Sequence, residues 1–217
     1  MVEHSHGRIE VSCLSPKARA GFEVVKSKHH DDVVTLSQVH GAEGHLVSKK
    51  NLGAEKQEGD FLWTCERGLR IGVHVADCTP LLALGEFQGK TAIAAIHAGW
   101  RGTAKGVIAK ALASMNWDFV EKIWMGPSIC QNHFQVGLEV LRELGEGSKK
   151  FAKPDPQNAQ KVFLDLKAFQ CADLRARLPK NVEMKSDDSC TYCEDRWVSY
   201  RQSGPRLEAR QLAWIQI

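Results

Sequence analysis

The sequence predicts a mixed α/β or α+β fold, and three observations lead there. Short apolar runs bounded by glycine, "RIGVHVA" (70–76), "PLLALG" (80–85) and "KTAIAAIHA" (90–98), have the length and ends of buried strands. After them lie stretches with helical periodicity. At 217 residues the chain is long enough to bury a sizeable core and suits one domain, 1–217.

Taken in order, 80–85 and 90–98 are close enough to form a hairpin. In "GTAKGVIAKALASM" (102–115), Ala104, Val107, Ile108, Ala111, Leu112 and Met115 fall on one helical face. "EKIWMGPS" (121–128) reads as a strand. "GEGSKKFAKPDPQNAQK" (145–161), polar and broken by two prolines and two glycines, reads as a surface loop. "LDLKAFQCADLRARLP" (164–179) reads as a helix with Asp165 as N-cap and Pro179 as its stop. "RQLAWIQI" (210–217) reads as a final strand. "GEFQGKT" (85–91) resembles a phosphate-binding loop, but only three residues separate Gly85 from the Gly-Lys pair where four are needed. A strand pattern follows where a helix is required, so the segment is expected to be the hairpin turn.

Composition narrows the function classes. The 43% hydrophobic and 25% charged content is ordinary for a soluble globular protein, and a net charge of +3 does not imply nucleic acid. No apolar stretch approaches the ~18 residues of a membrane span. The start, "MVEHSHGRIEV", lacks the apolar region of a secretory signal, so a cytoplasmic location is expected. Seven cysteines, an odd number in a chain of this length, fit reduced thiols better than a disulfide framework. A monomer or a small homo-oligomer is compatible with all of this.

Three stretches concentrate reactive groups: "SQVHG" (37–41), "VADCTP" (75–80) and "AIHAGWRG" (95–102). If their ends converge, His40, Cys78 and His97 supply two imidazoles and a thiolate. That donor set suits zinc, with a fourth position open to water or substrate. Cys78 beside a histidine can instead be a nucleophile, or simply a small buried residue. His74 shares a strand face with Cys78 but is better read as a core histidine. Asp77 is a candidate for orienting a histidine or binding a hydroxyl. Arg101 is a candidate for gripping an anion such as phosphate, against an ordinary surface salt bridge. Trp100 is a candidate pocket wall, against ordinary packing. "WVSYRQSG" (197–204) either delivers Ser199 and Arg201 to a site or is a plain strand. "CTYC" (190–193) is a single Cys-x-x-Cys; no second such pair exists, so Cys190 and Cys193 read as simple thiols. His4, His6, His29 and His30 read as solvated.

These stretches, in this order, resemble the bacterial laccase-domain family, also called the multicopper polyphenol oxidase, purine nucleoside phosphorylase or peptidoglycan editing factor family. The matching residues are "QVHG" (38–41), "GDFLWT" (59–64), "ADCTPLL" (76–82), "IHAGWRGT" (96–103), "GPSI" (126–129), "VGLEV" (136–140) and "SYR" (199–201). The resemblance spans roughly 37–217. It implies an α/β/β/α layered sandwich in which His40, Cys78 and His97 form the metal-binding, catalytic cluster. It also implies a zinc-dependent enzyme that phosphorolyses adenosine, inosine and methylthioadenosine and deaminates adenosine. Other members are described as oxidising polyphenols or correcting peptidoglycan precursors. The chain departs from the family pattern in three places. A longer N-terminal segment with a Gly-Gly-x-Ser turn is replaced by a shorter one (12–33). Gln135 stands where glutamate is usual, and Ala209-Arg210 where Gly-Arg is usual.

Among these activities a multicopper oxidase fits least. It needs several His-x-His pairs, and His4-Ser-His6 is the one such pair in the sequence. A blue-copper site would also need an axial ligand that nothing marks, which leaves copper as a second choice of metal. Deamination meets a different gap: zinc deaminases carry a His-x-Glu acid/base, and the chain has none. Asp77 is then the candidate proton carrier and Arg101 the candidate phosphate holder. A cysteine hydrolase acting on peptidoglycan precursors, with Cys78 as nucleophile and His97 as base, is the alternative class.

Overall fold

The computed structural model describes residues 4–5, 8–11, 16–26, 32–50 and 57–217. His6, His29 and His30, and the side chain of His4, lie outside what it describes. In chain order the strands and helices are β1 (His4–Ser5), β2 (Arg8–Glu10), β3 (Arg19–Val25), β4 (Gly44–Leu46), β5 (Phe61–Thr64), β6 (Arg70–Val75), β7 (Thr79–Phe87), β8 (Lys90–Ala98), α1 (Trp100–Ala104) and α2 (Val107–Met115). There follow β9 (Phe119–Met125), β10 (Gln135–Gly137), α3 (Leu138–Leu144), β11 (Ala152–Pro154), β12 (Lys161–Leu164), α4 (Leu166–Arg177), β13 (Glu183–Ser186), α5 (Tyr200–Ser203) and β14 (Arg210–Gln216).

The expected α/β mixture holds, with antiparallel and mixed sheets. One sheet runs β1-β2-β3-β14-β6, a second β13-β9-β7-β8-β5-β4, and a small third β10-β12-β11. Side-chain alternation explains how the two large sheets pack. Leu82, Leu84, Ile93 and Ala95 join Phe22, Ile71, Val73, Ala213 and Ile215 in the core between the sheets. Their neighbours Leu81, Ala83, Ala94 and Ile96 point the other way. They pack against Val107, Ile108, Ala111 and Met115 of α2 and Leu174 of α4. Both faces of β7 and β8 are therefore buried, which is why those runs read as continuously apolar. Phe22 reaches across to Trp124, with ring centroids 6.1 Å apart, so β3 is a core strand.

The hairpin is confirmed: β7 and β8 pair antiparallel, and Gln88 and Gly89 turn the chain with φ of 52° and 69°. Two left-handed residues in succession match the twist of a two-residue hairpin. Asp165 caps α4 by accepting a hydrogen bond from Ala168 N at 2.9 Å, and the helix closes at Leu178, before Pro179.

Three expectations need correction. The helix read over 102–115 is two helices: it begins earlier, at Trp100, and breaks at Gly106, whose φ is 80°. Segment 145–161 is not simply a loop. It holds a 3-10 turn and β11, and its last residue opens β12. Strands of three or four residues are too short for periodicity to reveal, and the prolines at 154 and 156 masked them. Residues 197–204 form neither a strand nor a bare loop: Ser199 caps α5. No helix among the described residues is long and apolar enough to cross a membrane.

Candidate functional site

Sheet register brings the first cluster together. The β7–β8 pairing sets Thr79 opposite Ala98 and Pro80 opposite His97, so Cys78, one residue before β7, lies beside the end of β8. The β5–β8 pairing sets Phe61 opposite Ile96, so Asp60, one residue before β5, lies beside His97. The His97 amide donates to the Asp60 carbonyl at 2.7 Å.

Asp60 then recruits the third stretch. Its fully buried carboxylate accepts hydrogen bonds from the amides of Val39 (3.3 Å), His40 (3.1 Å) and Gly41 (2.6 Å), and bonds His97 Nδ1 at 2.7 Å. This pins a loop in which His40 is left-handed, with φ of 56°. The donor atoms of His40, Cys78 and His97 lie within 4.8 Å of one another. Gly99 makes the approach possible. A Cβ there would stand 2.8 Å from Cys78 Sγ and 3.2 Å from His40 Cδ2. The glycines of "HAGWRG" thus have separate tasks: Gly99 leaves room for the cluster, and Gly102 lets α1 sit over the Gly41 carbonyl, 2.9 Å from where its Cβ would be.

The charges of these groups are coupled. Burial opposes ionisation of Cys78, but His97 and His40 beside it outweigh burial and bring the thiol from 9.0 down to about 6. Burial likewise opposes charge on His97, and the Cys78 and Asp60 anions outweigh it, raising the imidazole to about 9. Asp60 is held below its ordinary value: burial pushes upward, and the bonds from His97 and the Gly41 and Val39 amides win.

The other residues singled out in the sequence lie around this centre, with different attachments. The carboxylate that orients His97 is Asp60, not Asp77. Asp77, with φ of 84°, accepts from Thr191 Oγ1 and from the Arg201 amide, each at 2.7 Å. Buried Ser199 accepts from Gln202 N at 3.3 Å. The Arg201 guanidinium donates to the Gln135 carbonyl at 2.8 Å and lies over the Phe134 ring. Trp100 packs against the small-sheet core, and the exposed Arg101 guanidinium lies 4.4 Å over its ring. His74 is not part of the cluster. Its strand pairs with β14 in the other sheet, and its backbone exchanges two hydrogen bonds with the Gln38 side chain.

Sequence reasoning missed Asp60 and Gly99 as site residues. A carboxylate directly before an apolar strand, in "GDFLWT", was the available signal for Asp60. It also missed a second cluster. Cys190 and Cys193, read as simple thiols, meet Cys130 and His133, with all four donor atoms within 4.8 Å. The overlooked pair is Cys-x-x-His, which a search for Cys-x-x-Cys passes over.

Fold and site define a layered α/β protein with an open three-donor His–Cys–His centre. The donors fit a borderline-soft ion such as zinc: two imidazoles, a thiol already biased toward thiolate, a carboxylate behind one imidazole, and space kept by Gly99. The comparisons with known proteins agree with that class. A family model described as multi-copper polyphenol oxidoreductase laccase matches residues 17–217, and the chain belongs to that family. It is 29% identical over 185 residues to "Purine nucleoside phosphorylase YfiH" of Shigella flexneri, covering 84% of this chain and 73% of that protein. It is 33% identical over 178 residues to "Adenosine deaminase RL5" of an unknown prokaryotic organism, covering 76% and 67%. The fold matches the crystal structure of a Bacillus licheniformis hypothetical protein, YfiH, with a TM-score of 0.85 at 17% identity over 100% and 98% of the two chains.

Proposed function

We propose that this chain is a purine nucleoside enzyme whose metal ion, zinc in preference to copper, is held by His40, Cys78 and His97. On this reading it splits adenosine, inosine and methylthioadenosine with phosphate, and deaminates adenosine. The observation that carries the proposal is the buried Asp60 carboxylate, which ties the His40 loop and the His97 ring into one open donor set. The names of the relatives support the substrate class. When bound, the ion would supply Lewis acidity beside the reacting atoms.

The protein's own groups have separable roles. Asp60 fixes the His97 ring through Nδ1, which turns Nε2 toward Cys78 and the open side. Arg101, exposed at the start of α1, offers a planar cation to phosphate. Trp100 backs that cation from the pocket wall, its ring lying under the guanidinium. In phosphorolysis a phosphate oxygen forms the new bond to the ribose carbon as the bond to the purine nitrogen breaks. Both carboxylate oxygens of Asp77 already hold Thr191 and the Arg201 amide. Its role is therefore to position the segment bearing Ser199 and Arg201, rather than to carry a proton.

The test is to incubate metal-quantified protein with adenosine, with and without phosphate, and to separate the products by chromatography beside a His97→Ala control. Phosphate-dependent adenine release, or inosine formation, is expected and should vanish in the control. The same incubation is repeated with inosine and methylthioadenosine, and no turnover of any of the three nucleosides by zinc-loaded protein overturns the proposal.

One observation favours a second reading. Cys78, His97 and Asp60 are arranged as nucleophile, base and orienting carboxylate, with the thiol at about 6. A cysteine hydrolase acting on peptidoglycan precursors would use this chemistry. Alkylation that abolishes activity of metal-free protein favours the nucleophile; alkylation blocked by bound zinc favours the metal centre.

A further inference from the structure

We propose that Cys130, His133, Cys190 and Cys193 form a second, separate metal site: a closed, four-ligand zinc site that clamps two loops together. The donors come as two short-spaced pairs, Cys130-x-x-His133 and Cys190-x-x-Cys193, from segments 60 residues apart in the chain. Three sulfurs and one imidazole nitrogen are a complete tetrahedral set for zinc.

The distances match an ion-sized gap. With Zn–S of about 2.3 Å and Zn–N of about 2.0 Å, a tetrahedron has sulfur–sulfur edges of about 3.8 Å and sulfur–nitrogen edges of about 3.5 Å. Cys130 Sγ and Cys193 Sγ are 3.9 Å apart, and each lies 3.3 Å from His133 Nδ1. A disulfide needs about 2.05 Å, so this spacing is not that of a bond between Cys130 and Cys193.

The backbone is folded to suit thiolate ligands. The Cys130 amide points at Cys190 Sγ at 3.2 Å, and the Tyr192 and Cys193 amides bond the same sulfur. The Asn132 amide bonds Cys130 Sγ. Each pair sits on a tight turn: the His133 amide donates to the Cys130 carbonyl at 3.1 Å, and the Glu194 amide to the Cys190 carbonyl at 3.2 Å. Tyr192 stacks on the His133 ring with centroids 4.1 Å apart, holding the imidazole in place.

The site has a structural task near the first centre. It joins the segment after β9 to the segment after β13, where Ser128 and Cys190 make a β-bridge. Thr191, between two of the ligands, is the residue that grips Asp77, next to Cys78. With four protein ligands the site has no position for substrate, so its contribution is to hold this wall rather than to react.

The proposal is tested on the full chain by counting bound zinc in wild type, Cys193→Ser and His97→Ala. Wild type should carry two equivalents, Cys193→Ser should lose one, and His97→Ala should keep the Cys₃His ion. Cobalt loaded into His97→Ala should give the strong thiolate charge-transfer absorption of three sulfurs and the visible bands of a tetrahedral ion. Chelation of that variant should lower its thermal midpoint. The proposal is overturned by equal zinc content in wild type and Cys193→Ser, by a cobalt spectrum with one sulfur or none, or by a Cys130–Cys193 disulfide in freshly purified protein. The outcome is independent of the first centre: zinc retained in His97→Ala without nucleoside turnover in wild type would sustain this site and refute the nucleoside reading.

Discussion

The two clusters use the same kinds of donor for opposite ends. The first has three donors, a buried carboxylate behind one of them, and an arginine and a tryptophan at its edge. The second has four donors, three of them sulfurs, with backbone amides pointed at the Cys130 and Cys190 sulfurs. Strand register and the carboxylate assemble the first; turns assemble the second. The lesson is one of coordination number. Three protein ligands leave a position where chemistry can occur, and four leave only a clamp. The support differs to match. Asp60 is fully buried and rigidly bonded, as an orienting group must be. Cys193 is exposed, and a clamp tolerates that.

Substitutions can break that contrast, and the largest effect is expected at Gly99. Gly99→Ala inserts a methyl 2.8 Å from Cys78 Sγ. Nucleoside turnover and zinc at the first cluster should be lost while the Cys₃His zinc remains, measured by product chromatography and metal analysis. Overpacking of this kind costs about 1–3 kcal/mol, so the fold should survive. A first cluster that keeps its zinc in Gly99→Ala would show that the glycine is not what makes room.

Asp60→Asn comes next. The asparagine must turn an NH₂ toward groups that donate to the Asp60 carboxylate, the three backbone amides, or toward the His97 ring nitrogen. Zinc affinity of the first cluster and kcat/KM should fall about 10–100-fold, and stability by about 1–3 kcal/mol in urea titration. The second cluster should be indifferent. Arg101→Ala should raise the KM for phosphate about 10–100-fold, the worth of a charge-assisted bond, with adenosine deamination little changed. Equal loss of both activities would remove phosphate holding from Arg101.

The pH dependence sharpens the comparison further. In metal-free protein the Cys78 thiol sits at about 6 and His97 at about 9, so the thiolate–imidazolium pair exists between those values. Alkylation of Cys78 should rise as pH increases through about 6 and then level off. A rise only near the ordinary thiol value of 9.0 would contradict the coupling. The smallest effect is expected at Gln135→Glu, which turns a donor to Asp155 into a second carboxylate. A loss of about 1–2 kcal/mol is expected, read from urea midpoints.

Much of the fold was legible in the residues. Both faces of β7 and β8 are buried, so their runs are apolar throughout, and Asp165 and Pro179 bracket α4 with ordinary capping chemistry. The break at Gly106 was less legible because the apolar face continues on both sides of it. The small sheet was hidden because strands of three or four residues carry no period. At the first site, His40, Cys78 and His97 could be named because imidazole and thiol side chains stand beside apolar runs in the sequence, although the structure puts His40 in a loop rather than at a strand end.

The sequence by itself determined the hairpin of β7 and β8, the bounds of α4 and the family to which the chain belongs, and it named His40, Cys78 and His97 as candidate donors, since local pattern and residue chemistry carry that information. The tertiary structure alone decided that Asp60, not Asp77, stands behind His97, and that Gly99 marks the space beside Cys78. It also decided that Cys130 and His133 face Cys190 and Cys193. Those are meetings between segments far apart in the chain. Strand register and loop closure set them, and no local spacing records either.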